Sequence, residues 1–174
     1  MNVSLVLTVI GPDRPGLVES LSQAIAREDG NWLESRMARM AGQFAGILRA
    51  NVPEEKAEAL RKGLLALETQ GIRITVETST TEGYESELRP LTLTLVGNDR
   101  PGIIHEISQI LAQHGVNVDE LTTEQSVAPM SGESLFHANA ELRAPLDLKV
   151  DDLREQLEEI AQDLMVDIRL DSGA

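Results

Sequence analysis

The stretch Gly11-Pro12-Asp13-Arg14-Pro15-Gly16-Leu17-Val18 recurs 86 positions later as Gly97-Asn98-Asp99-Arg100-Pro101-Gly102-Ile103-Ile104. The same offset, without gaps, aligns Ser22-Gln23 with Ser108-Gln109, Ala26 with Ala112 and Asn31 with Asn117. A gapless repeat of this extent means that one structural unit is used twice, and it sets the domain plan before local structure is read.

Outward from the repeated stretch, both copies read alike. Val3, Leu5, Leu7 and Val9, and in the second copy Leu91, Leu93 and Leu95, alternate with Ser, Thr and Val, the period of two expected for a strand. After the turn, Leu17, Val18, Leu21, Ala24 and Ile25, and likewise Ile103, Ile104, Ile107, Ile110 and Leu111, recur at helical spacing, with Pro15 and Pro101 placed at the first helical position. Two strands follow, expected over residues 32–40 and 44–52 around Ala41-Gly42-Gln43, and over 118–127 and 134–142 around a longer loop at 128–133. The second helix is expected from about Pro53 to Gln70, with Ala57, Leu60, Leu64 and Leu67 on one face and Gly71 as its stop. Its counterpart spans about Val150 to Asp163 with Leu153, Leu157 and Ile160. Closing strands fall on Ile72, Ile74 and Val76, and on Met165 to Leu170. The order βαββαβ, twice, predicts an α+β chain of two ferredoxin-like units, each an antiparallel four-stranded sheet with both helices on one face. The expected domains are residues 1–80 and 90–174. The linker is 81–89, within a stretch from Ser79 to Arg89 where Thr, Gly, Glu and Ser replace the apolar pattern.

Composition narrows the function. The chain has 174 residues, 41% apolar and 25% charged, the balance of a globular protein with a real core. Aromatics are 2%, too few for base-stacking platforms, and the net charge of −14 opposes binding to phosphate backbones, so direct nucleic-acid binding is not expected. The acid is uneven: residues 1–86 carry 9 basic against 12 acidic side chains, residues 87–174 carry 6 against 17. Cysteine is absent, which removes disulfides, thiolate nucleophiles and sulfur metal sites. No apolar run approaches the roughly 20 residues of a membrane helix, and the N-terminus lacks a basic leader, so a cytoplasmic protein without membrane contact is expected. His105, His114 and His137 form no zinc-binding pair, and no phosphate-binding or dinucleotide glycine motif is present, so neither a metal nor a cofactor is expected. Paired acids such as Glu54-Glu55, Asp151-Asp152 and Glu158-Glu159 read as solvated helix faces. Nothing marks a reaction centre, and the chain reads as non-enzymatic.

The strand-to-helix turn is the feature that both halves keep in detail. Glycine beside the proline leaves helix N-terminal N–H groups open to a small anion, which the helix dipole favours. With Asp13 and Asp99 before the helix and Asn31 and Asn117 opening the next strand, donors, acceptors and a negative charge are expected to converge. That chemistry suits a zwitterion, its carboxylate on the N–H groups and its ammonium on Asp. A plainer reading stands beside it, in which Gly and Pro serve the turn geometry, Asp caps the helix, and Arg14 and Arg100 are solvated or paired with an acid.

These hexads, each followed by an apolar helix and then Asn31 or Asn117, resemble the ACT domain family of amino-acid-sensing modules, over nearly the whole chain. The resemblance implies effector contacts from the residue two places before the Pro and from the Asn opening the second strand, here Asp13 with Asn31 and Asp99 with Asn117. Some members carry His at the head of the hexad, where this chain has Gly11 and Gly97. The candidate ligand-binding set is Asp13, Arg14, Pro15, Gly16 and Asn31, with Asp99, Arg100, Pro101, Gly102 and Asn117. As a free-standing pair, the chain is most similar to the glycine cleavage system transcriptional repressor family. That likeness implies a small, glycine-like amino-acid effector and a protein partner, a transcription factor of glycine or one-carbon metabolism or else an enzyme, with a homodimer possible. The alternatives are a structural adaptor, or a detached regulatory subunit without its own ligand.

Overall fold

A computed structural model describes residues 1–79 and 88–173. The chain divides into two compact units, residues 1–82 and 83–174, each built as βαββαβ. In the first, β1 (Asn2–Pro12), α1 (Leu17–Arg27), β2 (Asn31–Met40), β3 (Gln43–Pro53), α2 (Ala57–Leu65) and β4 (Arg73–Thr78) follow in order, with a turn of 3₁₀ helix on either side of α2. The second repeats this as β5 (Leu88–Asn98), α3 (Ile103–Gln113), β6 (Asn117–Val127), β7 (Ser134–Pro145), α4 (Val150–Leu164) and β8 (Val166–Ser172). The sheet orders are β2-β3-β1-β4 and β6-β7-β5-β8, antiparallel throughout.

Alternation places the core. Leu5, Leu7 and Val9 share one face of β1 and pack with Leu48, Ala50 and Val52 of β3 beneath Leu17, Leu21 and Ile25 of α1 and Leu60 and Leu64 of α2. Leu91, Leu93 and Leu95 do the same beneath Ile103, Ile107 and Leu111 of α3 and Leu153 and Leu157 of α4. Both helices of each unit therefore cover one face of its sheet, as expected for a ferredoxin-like arrangement. Fully burying one such Leu is worth about 1.5–3 kcal/mol, so these aliphatic layers supply the cohesion that the scarcity of aromatics denies.

Several local readings change. Gly16 and Gly102 are left-handed, at φ 91° and 95°, so the helices begin only at Leu17 and Ile103, and Pro15 and Pro101 lie outside them. The β2–β3 connection is a two-residue turn, Ala41 and Gly42 at φ 48° and 80°, the hairpin geometry that matches strand twist, and Gln43 belongs to β3. Met165 does not open the last strand; it closes α4 in a left-handed conformation at φ 55°. A bulge at the same repeat position in both edge strands inserts Leu33 and Asp119, which the apolar pattern does not reveal. Residues 80–87, most of the expected linker, lie outside the described residues. β5 begins at Leu88, before Pro90, because Pro90 sits at the end of the β5–β8 ladder, where it accepts from the Gly173 N–H and no ladder donor is required of it.

Candidate functional site

Each repeated turn is held from two sides. The Asp13 N–H donates to the Gly42 carbonyl at 3.0 Å, and the Asp99 N–H to that of Ser134 at 2.9 Å, so each turn is fastened to the hairpin beside it. On the other side, the Arg14 guanidinium donates to the carbonyl of Gln70, and Arg100 Nη1 to that of Asp163 at 3.3 Å. These carbonyls end the second helical segment of each unit, where acceptors lack intrahelical partners and the dipole favours a cation. Neither arginine is simply solvated or acid-paired; each is a clamp between the turn and the second helix.

The helix starts are open. No side chain caps α1 or α3 among the described residues, so Asp13 and Asp99 do not perform the capping assigned to them by the plainer reading. The first intrahelical bonds run from the Ser20 N–H to Gly16 and from the Glu106 N–H to Gly102. The N–H groups ahead of them have no intrahelical acceptor. In the first unit an open cleft of about 470 Å³ borders this turn, between Arg14, Gly16, Glu19 and Ser20 on one wall and Gln70 and Ile72 on the other. A Cβ at Gly16 or Gly102 would touch nothing within 4 Å, so glycine is there for its backbone and not for space. Gly16→Ala is accordingly expected to cost about 1–2 kcal/mol through strain alone, seen as a lower urea midpoint by circular dichroism.

The expected convergence of Asp13 with Asn31 does not occur within a unit. Asn31 pairs with Asn51, which in turn pairs with Ser4 at the start of β1. Asp13 follows Pro12, which pairs with Gln43 at the other end of β3. The eight residue steps from Gln43 to Asn51 place the two about 26 Å apart. The second unit repeats the split, since Asn117 pairs with Arg143 while Asp99 accepts a hydrogen bond from the Gln125 amide near the far end of β6. The bulged Asp119 occupies Asn117 instead: the Asn117 amide donates to it at 2.8 Å, and Arg143 Nε lies 2.6 Å from its other oxygen.

What does surround each Asp is a residue that sequence reading passed over. Arg39 Nη1 lies 3.5 Å from the Asp13 carboxylate, and Gln125 faces Asp99. Residues 39 and 125 are also 86 apart, so the repeat contained this pair, but only the register of the hairpin shows that the end of β2 or β6 abuts the turn.

ACT domain family models match residues 4–77 and 91–143. The UPF0237 protein of Methanopyrus kandleri is 32% identical over 76 residues, covering 44% of this chain and 79% of that protein. An unknown protein of Galdieria sulphuraria superimposes with a TM-score of 0.88 at 28% identity, over 100% of both chains. A provisionally assigned glycine cleavage system transcriptional repressor superimposes with a TM-score of 0.70 over 98% of this chain and 97% of that one; at 18% identity, this is a likeness of fold.

Proposed function

Since the chain belongs to the ACT domain family, with one copy in each half, we propose that it is a non-enzymatic regulator that binds a small, glycine-like amino acid and controls a partner protein. The observation that carries this reading is the twice-built turn, with a left-handed glycine, an uncapped helix start and an adjacent carboxylate. The effector's carboxylate takes the open N–H groups beside Gly16 or Gly102, and its ammonium takes Asp13 or Asp99. Arg14 and Arg100, with Pro15 and Pro101, hold the turn in shape. The partner is a transcription factor of glycine or one-carbon metabolism, a choice supported by the fold shared with the glycine cleavage regulator. An acidic chain acting in the cytoplasm through another protein, and not on DNA itself, agrees with the charge of −14. No helix among the described residues is long and apolar enough to cross a membrane.

A second reading is favoured by the 26 Å between Asp13 and Asn31. In it, the effector bridges the turn of one chain and Asn31 or Asn117 of a second copy, and binding drives dimerisation.

Calorimetry tests both, with Trp32 fluorescence as a second signal for the bridged reading, because Trp32 follows Asn31 and packs half-buried on the first core. Glycine has five heavy atoms, and a ceiling of about 1.5 kcal/mol per atom sets the tightest dissociation constant in the low micromolar range. Glycine, alanine or serine is expected to bind saturably below ~10 mM, with the double variant Asp13→Ala/Asp99→Ala losing the signal while remaining folded. A molar mass that doubles with ligand selects the second reading. If no amino acid binds up to that concentration, the structural adaptor becomes the better account.

A further inference from the structure

The two turns are built alike but charged differently, and we infer that the second unit, not the first, is the one that recognises the effector's ammonium, with residues 39 and 125 setting the difference. This rests on the proposed effector binding and assigns its two halves unequal roles. Arg39 projects from β2 where it pairs with Phe44, and Gln125 from β6 where it pairs with Phe136. Both reach the acid of the turn. In the first unit that neighbour is a cation 3.5 Å from the Asp13 carboxylate, so an arriving ammonium competes with a positive charge already in place. In the second the neighbour is a neutral amide, which donates one hydrogen bond to Asp99, and no cation among the described residues is paired with that carboxylate.

The remaining neighbours point the same way. Arg14 and Arg100 are equivalent and cancel from the comparison, since each is spent on a helix-end carbonyl. On the first helical turn, Glu19 and Ser20 of the first unit correspond to His105 and Glu106 of the second, so each unit has one helix-start carboxylate. The helix-end carbonyl that Arg14 contacts belongs to the neutral Gln70, whereas the one that Arg100 contacts belongs to the acidic Asp163. The net environment is acidic at turn two and close to neutral at turn one. Turn one keeps its open N–H groups and two arginines, and it retains affinity for a carboxylate without a matching place for the amine.

Calorimetric titration with glycine, run on the full chain and on single variants, separates the possibilities. The wild type is expected to bind one glycine per chain in the accessible range. Gln125→Arg should weaken that site by up to about fivefold, the ratio that an exposed ion pair near 1 kcal/mol allows, and Gln125→Glu should strengthen it. A purely structural role for Gln125 would not give opposite signs for the two charges, and both effects should shrink in high salt. Arg39→Gln should raise the stoichiometry toward two. Two equal sites in the wild type, or binding lost with Arg39→Gln and untouched by Gln125→Arg, would overturn the inference and leave the proposed function standing. Methylammonium chloride alone, followed through the amide signals of residues 13–17 and 99–103, tests the preference without any effector. Shifts concentrated at 99–103 support it even if glycine fails to bind and the proposed function falls. Equal shifts at both turns overturn it whatever glycine does.

Discussion

Leu7→Ala is expected to lower the stability of the first unit by about 2–5 kcal/mol, the range for deleting three carbons from a packed interior. Leu7 has no exposed surface, lies at the middle of the central strand β1, and is flanked by Leu48 on β3 and Val76 on β4. The strands on either side are hydrogen-bonded to β1 and cannot close over the void, so the cost belongs in the upper part of that range. For a unit of this size each kcal/mol moves a thermal midpoint by about 4–8 °C, so the transition seen through Trp32 should fall by at least ~10 °C. Val76→Ala is the internal comparison: it removes less volume from a half-buried site and should shift the midpoint far less. Equal shifts for the two would mean that β1 is not the centre of this core.

The alternation that makes Leu7 central was legible without any structure, because a strand with one covered face imposes period two on its side chains. The helix faces at Leu60, Leu64 and Leu67, and at Leu153 and Leu157, were legible for the matching reason at period 3.6. What failed were readings that depend on backbone conformation. Pro15 looks like a first helical residue by type, but Gly16 behind it adopts φ 91°, and a left-handed residue cannot lie inside a right-handed helix. The bulges at Leu33 and Asp119 left no trace because an edge strand that buries few of its side chains has no strict pattern to interrupt.

The misplacement of Asn31 and Asn117 has a topological cause. Asn31 follows the turn by only 15 residues, which suggests nearness, but the helix between them runs back along the strand. Eleven helical residues cover about 16 Å, and with the connecting turns they return the chain to the end of the sheet where β1 began. Strand, helix, strand therefore puts the first turn and the next strand's start at opposite ends in any unit of this order. Conversely, Arg39 and Gln125 come close to the turn because β2 and β6 travel the full length of the sheet again. Residues that look remote from the hexad thus control its charge, and residues that look adjacent do not.

Gly97→Ala is expected to be far more damaging than Gly11→Ala, although the two glycines hold the same place at the head of the repeated hexad. A Cβ on Gly97 would lie 2.5 Å from Val166 Cγ1 and 2.8 Å from Val166 Cα, the residue it pairs with on β8. The side-chain conflict could be relieved by a rotamer change, but the contact with Cα requires β8 itself to move. Overpacking of this kind costs about 1–3 kcal/mol, and a backbone conflict belongs at the high end. A Cβ on Gly11 would meet the Gly71 carbonyl oxygen and Leu17 Cδ1 at 3.3 Å, where a shift of a few tenths of an ångström suffices, and Ile72 Cα at an ordinary 3.5 Å. Gly11→Ala should therefore stay within about 1 kcal/mol of neutral, helped by the reduced freedom of the unfolded chain. Urea titration of the two variants checks the order, and amide exchange should show protection lost along β8 only in Gly97→Ala. Adding Val166→Ala to Gly97→Ala should recover part of the loss, because it removes the Cγ1 conflict and leaves the Cα one. Full recovery would place the whole cost in the side chain and show that β8 is free to accommodate a larger residue at the head of the second turn; partial recovery means that this position is closed to any side chain, the histidine of some family members included.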